Sequence, residues 1–355
     1  MSSIQPYRVG ILGATGAVGM RFVSMLSTHP WFKIHKLMAS ERSVGKPYRQ
    51  AVNWMLPQEP ETWIQQMIVE KCEPDDSLDM VFSSLPASEA AQIETEFASE
   101  GIPVVSNSSA HRMAEDVPLI IPEINSEHLA MLEHQRCRLR SRGYIVANPN
   151  CSTIALSLGL DPVHRKFGIR KILVSTAQAV SGAGVPGLSM MAMLDNTIPY
   201  ILGEESKLET EPKKIFGRLE AGKFKPADMT ISAGCTRVAV RDGHLMHVSF
   251  TLSKHATEND ILECWRNYRP EIQDLQLPNS PEYPVIYLNS PDRPQPLLDR
   301  DRGSGMTVSV GRLRPCPVMD WKCVILGHNT VRGAAGGAIL LAELLAKKGF
   351  IGRLK

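Results

Sequence analysis

The 355-residue chain contains no run of about 18 apolar residues, so we expect no transmembrane helix. Its formal net charge of +2 is too small to predict binding to nucleic acid or to an acidic membrane surface. The first residues, MSSIQPYRVGILG, lack the charged, apolar and cleavage segments of a secretory signal. These absences predict a soluble, cytoplasmic protein without nucleic-acid or membrane partners.

Regular cysteine spacing is absent as well. The seven cysteines are odd in number and irregularly placed, which argues against a disulfide framework. No Cys-x-x-Cys pair and no His/Cys cluster has the spacing of a zinc site, so we predict no metal. The length leaves room for two domains and a sizeable buried core.

A glycine-rich segment near the start of the chain predicts a dinucleotide site. In YRVGILGATGAVGMRFVSML a short apolar strand is followed by glycines at every third position. Val18, Phe22 and Leu26 then recur at helical spacing. Glycine lets the backbone approach a phosphate, and the start of a helix presents free N–H groups to it. A tight strand–helix turn without a ligand is the alternative interpretation.

The end of the next apolar segment, FKIHKLMAS, favours NADP over NAD. Ser40, Arg42 and Ser43 cluster where a 2′-phosphate would sit, and the planar fork of arginine donates two parallel hydrogen bonds to such a group. Glu41 leaves NAD open, because an acidic residue there can bind ribose hydroxyls. Further alternating strands and helices predict a parallel, doubly wound Rossmann sheet, with ligands beyond the carboxyl ends of its strands.

Cys151 follows Asn-Pro-Asn and opens an apolar run in ANPNCSTIALSLGL. At the start of a helix the positive end of the dipole would lower the pKa of the thiol and favour the thiolate. Backbone N–H groups there could also stabilise an oxyanion. From this stretch alone, a small buried hydrophobic residue is an equally good interpretation.

Two later stretches add polar groups that could serve such a thiol. An apolar strand ends in Gln178, whose amide could anchor a substrate beside the glycine-rich loop that follows. In CTRVAVRDGHLMHVSFTL, the Asp-Gly pair predicts a hairpin between two apolar strands. Arg237 precedes that turn and His244 follows it directly. His244 is the leading general acid–base candidate, and a solvated surface histidine is the alternative.

Taken in order, these stretches resemble the aspartate-β-semialdehyde dehydrogenase family, in its archaeal and fungal branch. The resemblance rests on GATGAVG, ASERSVGKPY, SNSSAHRM, IPEIN, NPNCST, QAVSGAGVPG, RVAVRDGH, GRLRPCP and HNTVRGAAGGAILLAE. It implies an NADP-binding Rossmann domain over 1–150 and an α+β catalytic and dimerisation domain, with a mostly antiparallel sheet, over 151–330. A helix within 331–355 would pack back on the first domain. A homodimer or homotetramer is implied.

The resemblance also assigns roles to individual residues. It implies that Cys151 is the acylated nucleophile, His244 the acid–base group and Gln178 the group that orients the acyl chain. The implied substrate-binding residues are Arg237 for the α-carboxylate, Glu204 for the ammonium, Lys207 and Arg112 for the phosphate, and Asn150. The predicted cofactor contacts are Gly13, Thr15, Gly16, Ala17, Val18, Ser40, Arg42, Ser43, Ser84, Pro86, Ser181, Gly182, Asn329 and Thr330.

The activity that the resemblance implies is the NADPH-dependent reductive dephosphorylation of L-4-aspartyl phosphate to L-aspartate 4-semialdehyde. It would proceed through a cysteine thioester and release phosphate, in the biosynthesis of lysine, threonine, methionine and isoleucine. One alternative is a malonyl-CoA reductase, or another acyl-phosphate or acyl-CoA reductase on the same scaffold. A non-catalytic NADP-binding module is the other.

Overall fold

The computed structural model describes residues 6–184, 187–220 and 223–352. The outermost residues of the predicted domain ranges, 1–5 and 353–355, lie outside this part, as do Val185 and Pro186 of the QAVSGAGVPG motif. No helix in the described part is long and apolar enough to cross a bilayer.

The first sheet is parallel throughout and has the strand order β3-β2-β1-β4-β5-β6. Its strands are β1 (Tyr7–Leu12), β2 (Phe32–Met38), β3 (Val69–Glu70), β4 (Met80–Ser83), β5 (Val104–Ser106) and β6 (Ile145–Ala147). The helices of this region are α1 (Ala17–Leu26), α2 (Tyr48–Ala51), α3 (Thr62–Gln66), α4 (Ala87–Ser99), α5 (Pro122–Asn125) and α6 (Met131–Leu139). This strand order is that of doubly wound dinucleotide-binding sheets, so the predicted Rossmann fold is confirmed.

The second sheet is mixed and has the order β10-β7-β11-β14-β13-β12. Its strands are β7 (Ile169–Gln178), β10 (Thr230–Arg237), β11 (His244–Leu252), β12 (Val285–Leu288), β13 (Val308–Pro315) and β14 (Trp321–Gly327), while β8 (Arg218–Glu220) and β9 (Lys223–Lys225) form a separate pair. The helices are α7 (Cys151–Phe167), α8 (Met190–Met193), α9 (Glu204–Ile215), α10 (Glu258–Arg266) and α11 (Pro296–Asp299). Three of its strand pairs are antiparallel, whereas β10 with β7 and β12 with β13 are parallel.

The hairpin that we expected between β10 and β11 is wrong. Strand β7 lies between them, so that Arg237 pairs with Gln178 in parallel and Leu245 pairs with Ala177 in antiparallel register. The Asp-Gly pair specifies a local turn, but which strand pairs with β10 and β11 depends on how their apolar side chains are buried in the whole sheet. The insertion of β7 places the ends of β7 and β10 beside the start of β11.

Helix α7 connects the two sheets. It is buried along most of its length and packs against β11, β13 and β14, and against a π-helical turn at Val331–Ala335. That turn leads into α12 (Gly336–Lys347), whose apolar residues share a core with Val9 and Ile11 of β1. Strand β6 ends at Ala147 and α7 begins at Cys151. The division at residue 150 itself stays a prediction.

Candidate active site

A cavity of about 400 Å³ lies where α1, the start of α7, the ends of β7 and β10 and the start of β11 meet. The eight residues predicted for catalysis and substrate binding all line it: Arg112, Asn150, Cys151, Gln178, Glu204, Lys207, Arg237 and His244. Six predicted cofactor contacts line it too: Ala17, Val18, Ser181, Gly182, Asn329 and Thr330. The fold thus brings residues from distant parts of the chain together around one cavity.

Cys151 is the first residue of α7 and is half-buried. The Asn150 side chain caps this helix, its Oδ1 accepting from the N–H groups of Ser152 and Thr153 at 2.9 and 3.2 Å. Contrary to the expectation from the helix dipole, burial raises the pKa of the Cys151 thiol to about 12, and the Glu204 carboxylate adds to the rise. The charges of Arg112 and Lys207 oppose this shift only in part. The resting thiol is therefore protonated at neutral pH.

His244 is the first residue of β11 and is 1% exposed. Its Nδ1 accepts a hydrogen bond from the Ala179 backbone N–H at 3.0 Å, so Nδ1 carries no proton. Burial and the positive charge of Arg237 lower the pKa of His244 to about 3. The neutral ring therefore holds its proton on Nε2, a buried atom without a partner in the described part of the chain. The interpretation as a solvated surface histidine is wrong.

Gln178 and Arg237 end two neighbouring parallel strands, which is why their side chains are adjacent. Both are buried, and Arg237 Nη1 donates to the Ala179 carbonyl at 2.6 Å. Gly182 passes close to them: a Cβ built there would lie 2.9 Å from Arg237 Nη1 and 3.5 Å from His244 Nε2. A side chain at residue 182 would therefore push against Arg237 Nη1, whereas its distance from His244 is that of ordinary van der Waals contact.

Glu204 and Lys207 lie on the first turn of α9 and form an ion pair of 2.8 Å. Glu204 is buried and also accepts from Asn150 Nδ2, with 3.0 Å to each carboxylate oxygen. Burial favours the protonated form of Glu204, but Lys207 and Asn150 outweigh it, and the net pKa is lowered. The cavity thus contains a buried carboxylate beside two cationic side chains, Lys207 and Arg237.

Arg112 reaches the cavity from the loop that follows β5. Its Nη1 donates to Glu211 Oε1 at 3.0 Å and its Nη2 to the Asn107 carbonyl at 2.6 Å. Sequence reasoning missed Glu211, a buried residue of α9. The signal was available, because positions 204, 207 and 211 share one face of a helix.

The turn between β1 and α1 forms a backbone cradle. At Gly19 a Cβ would lie 2.2 Å from the Gly13 carbonyl oxygen, and at Gly13, with φ +77°, it would lie 3.0 Å from Ser84. Ser84 donates through Oγ to the Leu12 and Gly13 carbonyls, which ties this turn to the end of β4. Gly16 precedes α1, and no side chain in the described part caps that helix. The uncapped N–H groups fit the pyrophosphate of a dinucleotide.

Other predicted cofactor contacts surround this cradle. Thr15 is half-buried in the turn itself, and Pro86 precedes α4. Ser40 and Arg42 are exposed in the turn after β2, where the Ser43 N–H donates to the Ser40 carbonyl. Glu41 is 89% exposed and lies 3.8 Å from Lys71. The exposed guanidinium of Arg42 fits a 2′-phosphate.

Asn329 links the two sides of the cavity. Its Oδ1 accepts from the Gly243 N–H and its Nδ2 donates to Ser181 Oγ, both at 2.8 Å. The neighbouring Thr330 accepts from Arg21 Nε of α1 at 3.1 Å. Among the described residues no group of three or more His, Cys, Asp and Glu side chains is placed to bind a metal.

Comparisons with known proteins agree with this geometry. The family model "Semialdehyde dehydrogenase, NAD binding domain" matches residues 8–132, and "Semialdehyde dehydrogenase, dimerisation domain" matches 160–332. An aspartate-semialdehyde dehydrogenase of Archaeoglobus fulgidus is 46% identical over 97% of this chain and 99% of its own length. One from Methanothermobacter thermautotrophicus is 48% identical over 95% of this chain and 98% of its own.

A solved structure points to the same family. The crystal structure of aspartate semialdehyde dehydrogenase with NADP from Candida albicans superposes with a TM-score of 0.90 at 42% identity, covering 98% of this chain and all of that one. Two family models, near-full-length relatives and a shared fold lead to one conclusion. The chain belongs to the aspartate-semialdehyde dehydrogenase family.

Proposed function

We propose that this chain catalyses the NADPH-dependent reductive dephosphorylation of L-4-aspartyl phosphate to L-aspartate 4-semialdehyde. The observation that carries the proposal is the single cavity in which a thiol at a helix start lies among a neutral imidazole, a carboxylate and three cationic side chains. The full-length relatives named above have this activity in their names, which favours it over a CoA-dependent reductase.

Each charged group of the substrate has a counterpart in the cavity. Arg237, fixed by the Ala179 carbonyl, would bind the α-carboxylate, and Glu204 would bind the α-ammonium. Lys207 and Arg112 would bind the phosphate, which carries most of the negative charge. Gln178 would hold the acyl group between them. The match between opposite charges in a buried site would fix the β-carbonyl carbon near the sulfur atom.

The first chemical step forms a thioester. Cys151 Sγ attacks the β-carbonyl carbon, the bond from carbon to the phosphate oxygen breaks, and the thiol proton leaves with the released phosphate. Because Glu204 helps to hold the thiol pKa high, binding of the substrate ammonium to that carboxylate removes one obstacle to ionisation. Sulfur suits this step because it is strongly nucleophilic and its acyl adduct remains electrophilic.

The second step is reduction of the thioester. Bound NADPH would supply a hydride to the carbonyl carbon. His244 Nε2, which holds the proton of the neutral ring, would donate a hydrogen bond to the carbonyl oxygen as negative charge develops there. The carbon–sulfur bond then breaks, the aldehyde leaves, and Cys151 takes up a proton from solvent. His244 thus acts as a donor in this scheme.

NADP is the cofactor that the cradle and the turn at residues 40–43 fit best. Uncapped N–H groups at α1 suit the pyrophosphate, and Arg42 suits the 2′-phosphate. The Candida albicans relative was crystallised with NADP. Comparable Michaelis constants for NAD and NADP would contradict a role of Arg42 in selection.

The reverse reaction tests the proposal directly. Aspartate semialdehyde, inorganic phosphate and NADP should yield NADPH, and omission of phosphate should stop its formation. Malonate semialdehyde with CoA is the matched comparison. NADPH formation that depends on CoA instead of phosphate would identify a CoA-dependent reductase, and no formation in either assay would indicate a non-catalytic NADP-binding protein.

The second family model supports assembly as a homodimer. That model is named a dimerisation domain, and alternate residues of β7, Lys171, Leu173 and Ser175, are exposed on one face of the second sheet. Leu173 is 51% exposed, and His247 of β11 lies on the same face. We place the interface on this face. Light scattering would distinguish a dimer from a tetramer. The cytoplasmic location also stays a prediction, and cell fractionation would test it.

A further inference from the structure

Glu211 connects two parts of the cavity that come from distant segments of the chain. It lies on α9 and is 2% exposed. Its Oε1 accepts from Arg112 Nη1 at 3.0 Å, and its Oε2 accepts from the Asn150 backbone N–H at 2.7 Å. One buried carboxylate therefore holds both a cationic side chain and the residue that precedes Cys151.

The hydrogen bonds of Arg112 show what this contact does to the guanidinium. Nη1 is bound by Glu211 and Nη2 by the Asn107 carbonyl, so the orientation of the group is fixed. Nε is buried and has no partner in the described part of the chain. A buried donor without a partner is costly, and this one belongs to a side chain that lines the cavity. The guanidinium thus borders the cavity in a fixed orientation, with a positive charge that attracts an anion.

Asn150 is held at three points, and Glu211 supplies one of them. Its Oδ1 caps α7, its Nδ2 donates to Glu204, and its backbone N–H donates to Glu211. Charge-assisted hydrogen bonds from buried carboxylates are stronger than neutral ones. The turn that carries Cys151 is thus fixed to the same helix, α9, that orients Arg112.

We propose that Glu211 is a positioning residue, which fixes Arg112 for the departing phosphate and holds the turn that carries Cys151. This assignment rests on the proposed function, because it takes inorganic phosphate as the anion that Arg112 binds. Glu211 is not one of the residues that line the cavity, and it acts through Arg112 and Asn150, which do.

Glu211→Gln separates these two contacts, because an amide oxygen can still accept from the Asn150 N–H but carries no charge for Arg112. In the reverse reaction we expect the KM for phosphate to rise about tenfold, the effect of one charge-assisted hydrogen bond. The KM for aspartate semialdehyde and kcat should change by less than about threefold, since Arg237 and Cys151 are untouched. A general structural defect would lower kcat and leave no such selectivity.

Glu209→Gln is the matched control. Glu209 lies on the same helix and accepts from the Ala233 N–H at 3.1 Å, away from Arg112 and Asn150. Its kinetic constants should equal those of the wild type. If Glu211→Gln fails to fold, Glu211→Asp keeps the charge on a shorter side chain, and its KM for phosphate should still exceed that of the wild type.

A double-mutant cycle shows whether Glu211 acts through Arg112. In an Arg112→Gln background, the effect of Glu211→Gln on the KM for phosphate should disappear. An equal effect in both backgrounds, or a KM for phosphate within twofold of wild type in folded Glu211→Gln, would overturn the proposal.

A readout without turnover distinguishes failure of this proposal from failure of the proposed function. Phosphate alone should slow the alkylation of Cys151 by iodoacetamide, and Glu211→Gln should need a higher phosphate concentration for the same protection. If Glu211→Gln needs more phosphate for protection but no phosphate-dependent NADPH formation occurs, the function is overturned and the positioning of Arg112 by Glu211 is kept; equal protection in both proteins would overturn the positioning role. If phosphate gives neither protection nor turnover, both are overturned.

Discussion

The cofactor cradle and the substrate pocket are built in different ways. The cradle is the turn between β1 and α1, where a Cβ at Gly13 or Gly19 would lie 3.0 Å or less from a backbone oxygen. The pocket gathers charged side chains from loops, helices and strands far apart in the chain, and each is held by another buried group. Backbone sterics specify the first site, whereas a network of hydrogen bonds and ion pairs specifies the second.

This difference has consequences for substitution. In the cradle, adding a methyl group is the damaging change, because the backbone is closely packed. In the pocket, changing a charge or a donor is the damaging change, because buried polar groups depend on their partners. Variants can therefore disable one site and leave the other intact.

Cys151→Ser should have the largest effect, a loss of turnover of more than about 10⁴-fold, because a serine hydroxyl is a weak nucleophile at neutral pH. NADP affinity, measured by fluorescence titration, should stay that of the wild type, since the cradle lies on α1. Retention of a tenth of the wild-type rate would rule out the thioester route. Loss of NADP binding would show that the two sites are not separable.

His244→Ala should lower kcat by roughly 10²–10⁴-fold, the range for a group that stabilises charge or transfers a proton in the transition state. His244 Nε2 has no hydrogen-bond partner among the described residues, so its N–H group is available to the substrate. Single-turnover measurements should show normal phosphate release and slow aldehyde formation. Equal slowing of both would place His244 in the first step as well.

Gly19→Ala should damage the cradle alone. Its Cβ would lie 2.2 Å from the Gly13 carbonyl oxygen, and overpacking of this kind costs roughly 1–3 kcal/mol. We expect weaker NADP binding by calorimetry, while iodoacetamide should still alkylate Cys151 at the wild-type rate. Gly10→Ala is not a suitable control, because its Cβ would contact Leu78 and Val81. Gly45 and Gly349 have open space, but their positive φ would strain an alanine. Gly352→Ala, at an exposed glycine with open space and no positive φ, is the better control.

Glu204→Gln should have the smallest and most specific effect, on the pH dependence of Cys151 alkylation. The Glu204 carboxylate raises the pKa of the thiol, so its removal should shift the alkylation midpoint downward, by up to about one pH unit. Alkylation at pH 8 should then be faster than in wild type. Glu205→Gln, which alters a carboxylate bound to the Cys235 N–H, is the control. An unchanged midpoint would remove Glu204 as a cause of the raised pKa.

Sequence patterns predicted which side chains line the pocket, but not how they are held there. The Rossmann sheet and the family were confirmed. The hairpin around Asp242–Gly243 was wrong because a turn signal does not say which strand pairs with which. The prediction that the pKa of the Cys151 thiol is lowered was wrong. The helix dipole can be inferred from the local sequence, whereas burial and the nearby Glu204, which raise this pKa, depend on the tertiary structure. The residue roles and domain boundaries stay predictions.

The sequence by itself determined the strand–glycine–helix unit, the capped start of α7 and the chemical types of the site residues. Those features depend on neighbours a few positions apart, where steric exclusion and capping act directly on the backbone. Only the tertiary structure decided that β7 separates β10 from β11, that Ala179 fixes the proton of His244 on Nε2, and that Glu211 joins Arg112 to Asn150. These contacts join residues far apart in the chain, and their partners are selected by burial, which removes water as the competing hydrogen-bond partner.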